Sequence, residues 1–84
     1  MTEQQKQHGA TLRAIRLACT PPMRQGALAE RLGVPNSTIS QIETGNRRLT
    51  VHMLRAAADV LATVSHMTTE EIVIAVVLGR EVTA

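Results

Sequence analysis

Eighty-four residues leave room for one domain with one modest core and exclude a two-domain enzyme. An apolar fraction of 44% and a charged fraction of 19% fit a folded globule, one small enough to gain stability by pairing with a copy of itself. With no Phe, Tyr or Trp there is no platform for stacking unpaired bases, so single-stranded nucleic acid is a poor partner while duplex DNA stays open. The net charge of +2 is too small to name a nucleic-acid partner, so the placement of basic residues must carry that case. A single cysteine, Cys19, rules out an internal disulfide and fits a reducing cytosol. The start of the chain is polar, unlike a signal peptide, and the longest apolar run, 72–78, is too short to span a bilayer. A soluble, cytoplasmic protein is expected.

Residues 1–8 are Gln-rich and lack periodicity, which reads as a disordered N-terminal arm ahead of one domain over 9–84. Leu12, Ile15 and Cys19 then recur at helical spacing, and Thr20-Pro21-Pro22 ends that helix. A second helix runs from Arg24 or Gln25 to Leu32, burying Leu28, Ala29 and Leu32, and Gly33 stops it. Pro35 places the start of a third helix at Pro35 or Asn36, with Ile39 and Ile42 facing in and Gly45-Asn46 closing it. Thr50 is the expected N-cap of a fourth helix whose stripe is Val51, Leu54, Ala58 and Leu61. Thr68 and Glu71 have capping-box spacing before a last helix, although the β-branched run after them leaves a strand as the alternative.

The informative stretch is 25–44, QGALAERLGVPNSTISQIET. Two short helices flank a turn at Gly33 to Pro35. Ala29 is small enough to let the two axes come close, and Gly33 permits the backbone of a tight turn. Such a pair presents its second helix outward from a supporting first one.

The segment resembles the Cro and phage-repressor (XRE-type) class of helix-turn-helix DNA-binding proteins. The resemblance covers about Leu12 to Leu61. It is carried by Leu12, Arg13 and Arg16, by Gln25, by Leu28-Ala29 and Leu32-Gly33-Val34, by Ser37-Thr38-Ile39-Ser40, and by Ile42-Glu43-x-Gly45. It implies an all-α, compact, five-helix lambda-repressor-like domain. Two features depart from the common pattern: the Thr20-Pro21-Pro22 link is long, and Arg24 stands where a Ser, Thr or Asn cap is usual.

With Ile39 and Ile42 inward, Asn36, Ser37, Ser40 and Gln41 point outward and are the candidate base-contacting residues. Gln and Asn carry the paired donor and acceptor that suit the edge of adenine. Without the surrounding motif, four polar residues would be only a solvated helix face. The phosphate-contacting set lies on the flanks: Arg24 and Gln25 at the start of the second helix, then Thr44, Asn46, Arg47 and Arg48 after the third. For Gln25 the role is what the resemblance implies. The resemblance also places Arg16 and Glu43 together as a structural ion pair, partly buried and without a catalytic role.

Other chemistry finds little support. His8, His52 and His66 are scattered, with no metal-ligand spacing, and Cys19 lies on an apolar stripe as a core residue. No phosphate-cradling loop or catalytic triad is present, so neither enzyme activity, cofactor nor small-molecule ligand is expected. The C-terminal run, if helical, is apolar around nearly its whole circumference. Ile72, Val73, Val76 and Val77 are the expected dimer interface within a dimerisation segment over 68–80. The reading is a homodimeric, sequence-specific regulator of transcription, a repressor, on a palindromic operator. A phage regulator, a restriction-modification controller and an antitoxin all remain open. The rival is a protein-interaction module, such as an antitoxin or antirepressor, whose main partner is a protein.

Overall fold

A computed structural model describes residues 2–79; Met1 of the expected arm and residues 80–84 of the expected domain and dimerisation segment lie outside them. The first helix, α1 (Glu3–Ala18), begins well before the position expected from periodicity. Thr2 caps it by accepting the Gln5 N–H at 3.0 Å, and Glu3 puts a negative charge in the first turn. The expected disordered arm is therefore corrected: from Glu3 onward these residues are helical, because a capped N-terminus needs no apolar stripe. Leu12, Ile15 and Cys19 form the buried stripe, with Arg16 buried beside them. The Thr20-Pro21-Pro22 link then folds back, and the Met23 N–H meets the Arg16 carbonyl at 3.1 Å, satisfying one of the acceptors a helix end leaves open.

Gly9 explains how α1 meets the rest of the fold. A Cβ there would run into the Ile42 carbonyl and the Glu43 backbone, so only glycine allows the two main chains to touch. Exchanging helical glycine for alanine ordinarily stabilises by about 0.5–1 kcal/mol. Gly9→Ala should instead destabilise by about 1–3 kcal/mol, as overpacking does. A urea midpoint that rises instead would mean that the two helices part freely.

The second helix, α2 (Gln25–Leu32), and the third, α3 (Asn36–Thr44), are joined by the expected turn. Gly33 is left-handed at φ 70°, and its N–H reaches back to the Ala29 and Glu30 carbonyls. Leu28, Ala29 and Ile39 make a small buried cluster between the two helices, bordered by Met23, Leu32, Val34 and Val60.

Two further helices close the domain, α4 (Val51–Ala62) and α5 (Thr69–Leu78). Thr50 and Thr68 cap them as expected, and Thr68 with Glu71 completes a capping box. The alternative of a C-terminal strand is thus excluded. Val51 is corrected: it is 76% exposed, and Leu49 occupies the buried position ahead of α4. Leu49 precedes the cap and joins the same core as Leu54 in the next turn, the arrangement of a hydrophobic staple. This larger core gathers α1, α4, α5 and Ile42 of α3.

The expected dimer set divides. Ile72 and Val76 are fully buried in this domain's own core and are corrected from interface to core residues. Val73 is half-buried, whereas Val77 is exposed together with Ile74 and Leu78. The cause is the phase of α5: Ile72, Ala75 and Val76 turn toward α1 and α4, leaving the opposite apolar side outward.

Candidate nucleic-acid interface

One turn of α3 separates Ser37 from Gln41, and both are exposed, as is Asn36 at the front of the helix. Ser40 is half-buried. No side chain caps the start of α3 at Pro35, and the helix is pinned from behind by buried Ile39 and Ile42. At its end, Gly45 turns left-handed and the chain doubles back. The Asn46 and Arg47 N–H groups both donate to the Gln41 carbonyl, at 2.8 and 3.1 Å.

The loop therefore lies beside the helix rather than trailing from it. Thr44 Oγ1 bonds back to the Ser40 and Gln41 carbonyls and accepts from Asn46 Nδ2 at 3.1 Å. Arg47 Nε donates to Gln41 Oε1 at 3.0 Å. Arg48 is exposed and borders an open pocket of about 370 Å³ shared with Thr2, Gln4, Gln5, His8, Leu49 and Val51. So Thr44, Asn46 and Arg47 form one polar edge adjoining Gln41, and Arg48 follows them in the chain beside the start of α1. Arg24 is exposed at the N-terminus of α2.

Gln25 does something the sequence reading missed. Its Nε2 donates to Glu43 Oε1 at 2.9 Å, so the side chain turns inward instead of standing free for phosphate. It joins a buried polar cluster. Arg16 Nε donates to Glu43 Oε2 at 2.7 Å, and Arg16 Nη2 to Oε1 at 2.9 Å, a two-pronged pair with side chains 7% and 1% exposed. Arg16 Nη1 also donates to the Met23 carbonyl at 2.7 Å. These bonds fasten α1, the Pro-Pro link and α2 to the last turn of α3. They fix how the outward face of α3 stands on the domain.

A family model described as a helix-turn-helix domain matches residues 7–71 of the chain. This chain belongs to that family. The helix-turn-helix domain family is related to the XRE-type DNA-binding domains that the motif resembles, and its members are typically non-enzymatic. The five helices and the absence of strands among the described residues agree with it. No curated protein and no solved structure matched the chain. The match ends in the first turn of α5, so the exposed apolar positions 74, 77 and 78 lie beyond it.

No group of three or more His, Cys, Asp or Glu side chains among the described residues is placed to hold a metal, and no described helix is long and apolar enough to cross a membrane. Burial pushes the Cys19 thiol above its ordinary pKa, against the opposing pull of Arg16 and a backbone hydrogen bond. A thiol so held is the less reactive, protonated form.

Proposed function

We propose that this helix-turn-helix protein is a cytoplasmic, sequence-specific regulator of transcription, a repressor that binds a palindromic duplex operator as a homodimer. It needs no cofactor and performs no catalysis. The observation that carries the reading is the outward polar front of α3, with Asn36, Ser37 and Gln41 exposed, clamped from behind by Arg16 and Glu43 and flanked by Arg47 and Arg48. Short polar side chains on a fixed helix can enter the major groove, and the basic loop can follow the sugar-phosphate edge. Gln25 serves the interface by holding Glu43, and the uncapped N-terminus of α2 supplies backbone N–H groups for a phosphate. The dimer forms through Val73, Ile74, Val77 and Leu78. Selecting bound sequences from random duplexes tests the whole: an enriched palindrome is expected. Failure to enrich any duplex would return the case to a protein-binding module.

Base and phosphate contacts respond differently to substitution. Asn36→Ala should cost about 1–3 kcal/mol on the selected operator and relax preference at one position per half-site, with helical content unchanged. Arg48→Ala should weaken operator and random DNA alike and flatten the salt dependence by about one unit. An Asn36→Ala protein with unaltered preference would remove Asn36 from the base-contacting set. A loss in Arg48→Ala confined to the operator would remove Arg48 from the phosphate set.

A further inference from the structure

We propose that the Met23 thioether is an oxidation site, and that its sulfoxide reversibly loosens the helix-turn-helix from α1 and weakens DNA binding. The consequence for DNA rests on the reading above; the modification itself does not.

Met23 sits at the joint between α1 and α2. Its N–H donates to the Arg16 carbonyl at 3.1 Å, and its own carbonyl accepts from Arg16 Nη1 at 2.7 Å. Its side chain packs against both apolar clusters, the small one between α2 and α3 and the larger one gathered from α1, α4 and α5. Among the described methionines Met23 alone does so, since Met53 and Met67 border only the larger cluster. Met23 is half-buried on a link, with exposed Pro21, Pro22 and Arg24 on either side of it in the chain, so a small oxidant can reach its side chain. Cys19 is 2% exposed and burial holds it as the thiol, which protects it from the same oxidant.

Hydrogen peroxide supplies the chemistry. The thioether lone pair attacks one peroxide oxygen, the O–O bond breaks, and an S–O bond forms while the second oxygen leaves as water. Sulfur loses two electrons and peroxide gains them. The product is polar where the thioether was apolar. Between two apolar clusters the new oxygen has to reach water, because a polar atom buried without a partner is costly. Turning it outward draws the side chain off the clusters, and the start of α2 follows, since Met23 directly precedes Arg24 and Gln25. The Gln25 bond to Glu43, which helps hold the end of α3, is the next contact to loosen. A methionine sulfoxide reductase with a dithiol reverses the step: the oxygen leaves as water and the dithiol becomes a disulfide.

The test compares wild type, Met23→Leu and the double variant Met53→Leu with Met67→Leu after mild hydrogen peroxide, with peptide mass mapping to locate the added oxygen. Leucine keeps the volume and the backbone bonds of Met23 and has no sulfur. Oxidised wild type should carry oxygen on Met23 and melt about 5 °C or more lower. It should bind the selected operator about tenfold more weakly, with helical content unchanged. Reductase treatment should restore both values. The double variant should respond as wild type does, and Met23→Leu should keep its affinity through the treatment. Three results overturn the proposal: no oxygen on Met23 of the folded protein, an equal loss of affinity in Met23→Leu, or a lowered melt with DNA affinity unchanged. If the unoxidised protein binds no duplex, the DNA-binding reading falls, while the oxygen on Met23 and the lowered melt still test the joint.

Discussion

Glu43→Ala should cost about 3–5 kcal/mol of folding stability, because it strands the Arg16 guanidinium inside the protein with only the Met23 carbonyl as a partner. A natural domain is held by about 5–15 kcal/mol in all, so this single change removes a large share. Thermal unfolding should fall by on the order of 15 °C or more for a domain of this size. The coupling shows in a double substitution. Arg16→Met with Glu43→Leu removes both charges, and it should be more stable than Glu43→Leu alone. Thermal melts of the singles and the double decide it. Purely additive losses would mean that the two side chains do not act as a pair. Where enough Glu43→Ala protein stays folded to measure, operator affinity should also drop, since the end of α3 loses its hold on α1 and α2.

The sequence announced most of what places α3. Gly33, Pro35, Thr50 and the Thr68–Glu71 pair each mark a helix boundary by a local mechanism, a left-handed turn, a ring-fixed φ or a side-chain cap, that does not depend on the rest of the fold. All four lie where those mechanisms predict. Periodicity was weaker wherever a helix departed from one apolar stripe. Residues 3–8 carry no stripe, yet Thr2 and Gln5 have the spacing of a cap, and that signal locates the start of α1. In α5 every face is apolar, so periodicity alone left its phase undetermined. Its cap resolves the phase: Met67 before Thr68 packs on the same core as Ile72, which turns Ile72 inward and Val77 outward.

The site shows the same division. Asn36, Ser37 and Gln41 are exposed, as inward Ile39 and Ile42 imply, whereas Ser40 is half-buried. The Gln25 bond to Glu43 and the Arg47 bond to Gln41 were not legible in the sequence, because each depends on how one backbone folds over another. Gly9 is a further case. A glycine in the middle of a helix reads as a weakness until the α3 backbone is placed against it.

In the proposed dimer, Val77→Glu should separate the subunits and lower operator affinity by about two orders of magnitude or more, although no DNA-facing residue changes. Val77 is 54% exposed, with Ile74 at 47% and Leu78 at 57%, three large apolar side chains on adjoining positions of one helix. Covered by a second copy, this patch would bury a carboxylate in the variant without a partner, which costs far more than losing the valine. In the monomer the same carboxylate stays in water, so the variant should still fold, its melt losing only the concentration-dependent share that pairing adds. That separates Val77→Glu from Ile72→Glu, which puts a charge into the core and should unfold the domain. The loss on DNA follows from linkage: two half-sites bound by joined subunits gain about 10²–10⁴ over one, and the monomer forfeits that factor. Sedimentation of wild type and variant, followed by titration of operator and of a single half-site, measures both effects. Half-site affinity should be equal in the two proteins. If Val77→Glu and Leu78→Glu both remain dimeric and bind operator normally, α5 is not the contact. The interface would then be sought at Val51, which stands 76% exposed just after the basic loop.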